Sequence, residues 1–189
     1  FRLDDAMDAA LQGLSMLEGL PTCPAHIYVY LTISWLNFYH SEYPTALENA
    51  HECLHMAEEL GNCEMQSYAF DLIGVLHGLL GDVEHALENH ARAMQIAEEI
   101  AIPDLLMVLY NNLADRLCMI GNYAEARKNV EKAMQIANQH GLKDELTYKV
   151  TFAEILLKME AYDLAEQHLH EVLSANEGTV CGPWVQTTT

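Results

Sequence analysis

The chain has 189 residues, of which 9 are Lys or Arg and 28 are Asp or Glu, so its formal net charge is −19. Because such a field repels a phosphate backbone, we expect no binding to nucleic acid. The hydrophobic share of 51% is too high for a disordered chain, and no apolar run approaches the roughly 18 residues that a membrane span needs.

The cysteines and the first residue indicate the cellular location of the chain and its relation to a longer protein. Five cysteines, an odd number without C-x-x-C spacing, favour a reduced protein, and we expect a cytoplasmic location. The sequence begins at Phe1 rather than at an initiator methionine. We therefore interpret it as a mature fragment or an excised domain.

A repeat of forty residues organises the chain from its beginning. Small and apolar residues from Leu3 to Gly13 predict a single helix, which lies forty residues before the corresponding stretch around Ala46. Ala86 and Ala126 follow Ala46 at the same interval, and their neighbours recur with them. A fixed period of this length indicates a stack of one supersecondary unit.

Each repeat is predicted to contain two helices joined by a short turn. In the second repeat, side chains suited to one helix face recur at three- and four-residue steps as far as Leu80. Gly81-Asp82 then interrupts the pattern, as a glycine able to adopt positive φ does at a helix end. Ala86 and Ala93 begin the inner stripe of the next helix, where small side chains allow close helix packing.

These residues resemble the tetratricopeptide repeat family, whose unit is a helix–turn–helix with a Gly-Asp-Tyr-like turn followed by spaced small residues. The resemblance is carried by Gly81-Asp82-Val83 with Ala86 and Ala93, and by Gly121-Asn122-Tyr123 with Ala126 and Ala133. It implies an all-α fold, a right-handed α-solenoid of about four and a half repeats. The forty-residue period and the Asn-Asn-Leu at 111–113 look like arrays in bacterial signalling proteins, such as GGDEF-associated and MalT-like proteins.

The repeat register predicts where each segment begins and ends. We expect a repeat domain over 1–174, made of a half-repeat at 1–20 and repeats at 24–61, 64–101, 104–141 and 143–174. The remaining residues, 175–189, contain Gly178, Gly182 and Pro183, which interrupt helical periodicity. We interpret this stretch as an irregular tail or linker, with a fold-back onto the last helix or into a neighbour's groove as the alternative.

The sequence of residues 51–55 matches one catalytic motif, HExxH. In zinc peptidases this spacing places two histidines on one helix face beside a general base. Here the repeat register places His51, Glu52 and His55 on the outward side of a helix, away from any cleft. We interpret the motif as a chance match, with adventitious metal binding by the two histidines as the alternative.

The other reactive side chains give no sign of chemistry. His77 and His90 fall on inward-leaning stripes, where a hydrogen-bonded core histidine is more common than a metal ligand. We identify no Gly-rich phosphate loop and no Ser or Cys nucleophile with a base. The sequence therefore predicts no catalytic residues, no metal ligands, no cofactor and no enzymatic activity for this segment.

The resemblance implies a binding groove on the concave side, lined by the first helix of each repeat. The N-terminal end of this groove is aromatic and apolar, and its C-terminal end is polar and acidic. Carried over position by position, the groove residues are Tyr28, Leu31, Thr32, Trp35, Phe38, Tyr39, Tyr68, Asp71, Leu72, Val75, Asn111, Asn112, Asp115, Thr151 and Glu154. The alternative is that the aromatic residues, Trp35 above all, pack on neighbouring helices instead.

Two functions from different classes fit this pattern. The first is a non-catalytic module that binds a protein or peptide segment with apolar and basic residues, because acidic groove residues attract cations. The family context makes it the regulatory or sensory part of a larger bacterial signalling protein, such as a GGDEF diguanylate cyclase. The second is an oligomerisation scaffold that forms homodimers through its uncapped ends or its tail.

Overall fold

A computed structural model describes residues 3–141 and 145–176 of the chain. Within these ranges the chain forms nine helices and no strand, which confirms the predicted all-α fold. The helices are α1 (Leu3–Leu17), α2 (Pro24–Tyr39), α3 (Tyr43–Glu59), α4 (Cys63–Leu79), α5 (Val83–Ile100), α6 (Pro103–Met119), α7 (Tyr123–His140), α8 (Glu145–Lys158) and α9 (Tyr162–Asn176). In the part of the chain so described, each helix is too short or too polar to cross a membrane.

The helices fall into two compact units, Phe1–Asn112 and Leu113–Thr189, with the boundary inside α6. In the first unit each helix from α1 to α5 packs on the next, and α2 also contacts α4. In the second unit α7 packs on α8 and α8 on α9. The first two residues of the predicted tail, 175 and 176, belong to α9, and the rest of the tail lies outside the described residues.

The second helix of each of the first three full repeats buries a stripe of mostly small side chains. On α3 this stripe contains Ala46, Ala50, Cys53 and Ala57, all without exposed surface. The corresponding positions on α5 and α7 are also buried, and they keep the four-, three- and four-residue steps of one helix face. Small side chains at these steps allow helix axes to approach closely while larger residues fill the space beside them.

The turn inside each repeat requires a backbone conformation with positive φ. Gly81 and Gly121 provide it with φ of 85° and 81°. In the first and fourth repeats the position is taken by Ser41 and Glu160, with φ of 61° and 60°. A residue with a Cβ is disfavoured there by about 1–2 kcal/mol, so packing of the flanking helices holds these two turns in shape.

A glycine inside α4 makes room for a histidine on α5. A Cβ built at Gly74 would lie 3.0 Å from the Ala86 carbonyl oxygen and 3.2 Å from Cδ2 of His90. The same repeat position holds Ser34 on α2, where the residue corresponding to His90 is Ala50. A Cβ is therefore compatible with the corresponding helix pair of the first repeat, whereas in the second repeat the His90 ring crowds it together with the Ala86 carbonyl oxygen.

We expect Gly74→Ala to destabilise the fold by about 1–2 kcal/mol, because overpacking exceeds the roughly 1 kcal/mol gained in helix propensity. His90→Ala should itself destabilise the fold, because it removes the imidazole partner of the buried Asp71 carboxylate. In the His90→Ala background, however, Gly74→Ala should cost less than it does in the wild type, because the facing ring is gone. Urea unfolding of both single variants and the double variant measures the coupling. Additivity within about 0.5 kcal/mol would contradict the steric account.

Candidate functional site

The aromatic residues predicted for the start of the groove are only partly available for binding. Tyr28 and Tyr39 are 56% and 46% exposed on α2. The Trp35 ring lies 5.3 Å from the Phe38 ring, centroid to centroid, and both side chains pack against the core around Leu72. Trp35 therefore packs within the fold, as the alternative interpretation has it. Of the groove residues predicted on α2, Tyr28, Thr32 and Tyr39 are exposed.

Apolar residues predicted for the middle of the groove contribute mainly to the core. Leu72 is 1% exposed and sits among Ala46, Ile73 and Leu76, which corrects its predicted position on a binding surface. Leu31 and Tyr68 are half-buried and pack against the same or adjacent core clusters. Val75 is half-buried as well. Burial raises the pKa of the Tyr68 hydroxyl, and nearby carboxylates, Glu64 first, raise it further.

Asp71 belongs to a buried polar network rather than to an open surface. It is 3% exposed, and its Oδ1 lies 2.9 Å from Nδ1 of His90. Its Oδ2 accepts a hydrogen bond of 2.6 Å from Nδ2 of Asn112. Both carboxylate oxygens are thus engaged inside the first compact unit, which corrects the prediction that Asp71 faces a ligand.

The Asn pair is also less free than the sequence predicts. Asn112 holds the buried Asp71 carboxylate, so its amide group is committed to the fold. Asn111 is half-buried, and its Oδ1 is buried without a hydrogen-bond partner. An unpaired buried acceptor costs about 1–3 kcal/mol, and because this oxygen is buried, the structure does not present it to a ligand.

The second compact unit contains an open pocket of about 610 Å³ between α6 and α8. Predicted groove residues Asp115 and Glu154 meet there. The pocket is lined by Asp115, Cys118, Met119, Tyr123, Glu154, Leu157 and Lys158. Thr151 is half-buried on α8, outside this lining, and its Oγ1 donates to the Thr147 carbonyl oxygen at 3.3 Å.

Sequence reasoning missed Tyr123 because the resemblance assigns the groove to first helices, whereas Tyr123 begins the second helix of its repeat. The signal that could have found it is its place next to the turn at Gly121-Asn122, which brings its ring to the end of α6.

The pocket contains two carboxylates, Asp115 and Glu154, and one cation, Lys158. Burial raises the pKa of the Glu154 carboxyl, and the negative charge of Asp115 raises it further, against the opposing effect of Lys158. Arg116 donates a hydrogen bond to Asp115 and so offsets one of the two negative charges. Burial also raises the pKa of the Cys118 thiol, so that group is protonated at neutral pH. The pocket offers charge and apolar contacts suited to binding.

The HExxH segment lies where the repeat register puts it. His51, Glu52 and His55 are exposed on α3, and Nε2 of His55 is 3.6 Å from Oε1 of Glu59. Cys53, between them in sequence, faces the core, and burial raises the pKa of its thiol to about 12. The geometry of an exposed helix face supplies no cleft around the motif.

Two groups of reactive side chains escaped the sequence analysis. The Sγ atom of Cys23 lies 3.4 Å from Nδ1 of His26, so one cysteine does have a neighbouring imidazole. That nitrogen also accepts a hydrogen bond of 3.2 Å from the Cys23 backbone N–H, which caps the start of α2. The second group, at the turn between α4 and α5, brings His77 and His85 together with Asp82. A Cys-x-x-His pair and a His-Asp-His spacing were the available signals.

A family model described as tetratricopeptide repeat matches residues 104–178. This segment contains most of α6 and all of α7, α8 and α9, and it includes the pocket between α6 and α8. No curated protein sequence matches the chain.

Solved structures similar to this chain are helical-repeat proteins of low sequence identity. A Rap protein complexed with competence and sporulation factor has a TM-score of 0.85 and 15% identity, over 93% of this chain and 49% of the Rap chain. The apo form of RapI has a TM-score of 0.78 and 15% identity, over 94% of this chain and 65% of its own. The chain thus spans between half and two thirds of the length of these Rap proteins.

A third similar structure is a signal transduction ATPase of the STAND class from Pyrococcus horikoshii, whose description includes a tetratricopeptide repeat sensor. Its TM-score is 0.72 at 17% identity, over 94% of this chain and 28% of the ATPase. At these identities the similarity demonstrates the fold. The family model matches less than half of the chain, and these neighbours share its helical-repeat fold.

Proposed function

We propose that this chain is a non-catalytic module that binds a peptide or protein segment, with α6 and α8 providing the binding face. The observation that carries the proposal is the pocket in which Asp115 and Glu154 meet the apolar side chains of Met119 and Leu157. The similar Rap protein solved with competence and sporulation factor supports a binding role for this fold. Helical repeats of this type generally bind partners along an extended surface of stacked helices.

The chemistry of the pocket favours a partner with basic and apolar residues. In the free protein, burial and Asp115 both disfavour the ionised form of Glu154. A Lys or Arg side chain from a partner would offset this by supplying an opposite charge at close range. Met119 and Leu157 are 61% and 43% exposed, so each offers apolar surface to the same ligand.

A regulatory role follows from the kinds of protein that share this fold. The STAND ATPase carries its tetratricopeptide repeats as a sensor. We infer a comparable role here, as the sensory part of a larger bacterial signalling protein in the cytoplasm, where ligand binding shifts the population of the output domain's states. A GGDEF cyclase or MalT-like output remains a prediction from the forty-residue repeat.

A homodimerisation scaffold is the second candidate, and the two end helices favour it. No side chain of α1 is fully buried, and Leu11 and Met16 on that helix are 49% and 73% exposed. Leu164 and Leu173 on α9 are 46% and 55% exposed. A second copy of the chain would cover this exposed apolar surface.

We expect Glu154→Gln to weaken binding of a cationic peptide about fivefold, the equivalent of losing about 1 kcal/mol from a partly exposed charge pair. Peptides selected from a randomised phage-displayed library against the chain should be enriched in Lys, Arg and apolar residues. Fluorescence anisotropy of one selected peptide measures the affinity. Glu166→Gln on α9 is the matched control and should change nothing. Equal affinity for the wild-type and Glu154→Gln proteins would contradict binding at this pocket.

Glu154→Gln should also raise the unfolding temperature at neutral pH. The folded state raises the pKa of this carboxyl, so the stability linked to its protonation is fully present below about pH 4 and is lost as the pH rises through the folded-state pKa. Thermal unfolding against pH should therefore show no difference between variant and wild type in acid and a gain for the variant at neutral pH.

Glu171→Gln is the control of opposite sign for this measurement. A hydrogen bond from Lys149 lowers the pKa of Glu171, whose Oε2 lies 3.2 Å from the Lys149 Nζ. Its replacement should therefore lower stability at neutral pH and have no effect in acid. Shifts of the same sign for the two variants would show that the local electrostatics have been misassigned.

If the dimer hypothesis holds, light scattering should give a mass that rises from monomer to dimer with protein concentration. Leu11→Glu should then return the monomer, because it places a charge in the apolar surface of α1. Thr45→Glu, on the exposed side of α3, is the control and should leave the dimer intact. A strict monomer at all concentrations eliminates this second function.

A further inference from the structure

Three potential metal ligands meet at the turn between α4 and α5. His77 lies in the last turn of α4, Asp82 precedes α5 as its N-cap, and His85 lies in the first turn of α5. Their candidate ligand atoms all lie within 4.8 Å of one another. The turn itself holds them together, because the Asp82 backbone N–H donates a 2.9 Å hydrogen bond to the His77 carbonyl oxygen.

The two oxygens of Asp82 have different roles. Oδ1 accepts a 3.2 Å hydrogen bond from the His85 backbone N–H and so caps α5. Oδ2 faces both imidazoles, at 2.7 Å from Nδ1 of His85 and 3.5 Å from Nδ1 of His77. One oxygen therefore accepts the hydrogen bond that caps α5, while the other faces the two ring nitrogens.

The two imidazole rings are already arranged side by side. Their centroids are 5.3 Å apart and their planes differ by 27°, so both Nδ1 atoms point to the same carboxylate oxygen. A transition-metal ion binds such atoms at about 2.0–2.2 Å, so its ligand atoms lie within about 4.4 Å of one another. Small rotations are enough to reach that geometry, and the 58% exposure of the His85 side chain leaves it free to make them.

We propose that His77, Asp82 and His85 form a binding site for a divalent transition-metal ion of the zinc class, with water completing its coordination. Two imidazole nitrogens and one carboxylate suit zinc and its first-row neighbours, whereas Mg²⁺ and Ca²⁺ prefer oxygen ligands throughout. The bound ion links the end of α4 to the start of α5. It therefore stabilises the second repeat in proportion to its occupancy.

The same turn in other repeats has the backbone but lacks these ligands. Glu42 and Asn122 occupy the position of Asp82 and make the same backbone hydrogen bond, each at 2.9 Å. The residues at the position of His85 are Thr45 and Glu125, and Asn37 and Leu117 take the place of His77. The fold needs no histidine to close this turn, so the pair in the second repeat is a separate feature.

Helix capping alone explains Asp82 and its contact with His85, but it leaves His77 unexplained. The His77 side chain is 19% exposed and points its Nδ1 at the same oxygen from beyond ordinary hydrogen-bonding distance. The net charge of −19 raises the local concentration of cations around such a cluster.

The test is a calorimetric titration of the metal-stripped full chain with zinc chloride. We expect one zinc ion per wild-type chain, bound at least about tenfold more weakly by His85→Ala and by Asp82→Asn, since losing even outer-shell support costs about 10–100-fold. Asp82→Asn preserves the helix cap, because an Asn side-chain oxygen accepts the same hydrogen bond. Circular dichroism without metal should show that both variants are folded.

His55→Ala is the matched control, because it removes an exposed histidine of the HExxH segment and leaves the turn intact. It should bind zinc as the wild type does, and zinc should raise the unfolding temperature of this control but not of His85→Ala. Loss of the zinc ion in His55→Ala, or no stoichiometric binding by the wild type, would overturn the proposal. So would equal affinity in the wild type and both turn variants.

Discussion

The close approach of neighbouring helices, which small buried side chains on α3, α5 and α7 make possible, is the constraint on which the other features depend. Residues such as Ala50, Ala93 and Ala133 have no exposed surface. Because these positions are fixed by the repeat, a larger residue among them needs compensation. His90 illustrates this, since its imidazole is accommodated by Gly74 on one side and by the Asp71 carboxylate on the other.

Much of the fold could be predicted because the same sequence pattern occurs in several repeats. The buried stripe follows from periodicity, and the turns at Gly81 and Gly121 follow from the need for positive φ. Ser41 and Glu160 adopt the same conformation without a glycine, which no local pattern in their segments indicates. There the packing of the flanking helices, a tertiary effect, determines the backbone.

The binding face could be predicted less well because exposure depends on the neighbours of each side chain. Transferring groove positions from a family identifies the helix face on which a residue lies, but not how deeply its side chain is buried. Asp71 and Leu72 lie on the expected helix, yet a histidine and an asparagine from other helices cover the first, and the core covers the second. In the second compact unit, Asp115 and Glu154 do line an open pocket, where Met119 and Leu157 beside them are exposed.

The account rests on the claim that the face between α6 and α8 receives a peptide. An NMR titration of the isotopically labelled chain with a selected cationic peptide tests it most directly. The account predicts that amide shifts change at Asp115, Cys118, Glu154 and Leu157, while exposed residues of α7 such as Glu131 and Lys132 keep their shifts. Changes concentrated on the exposed side of α7, with the pocket residues unaffected, would contradict it.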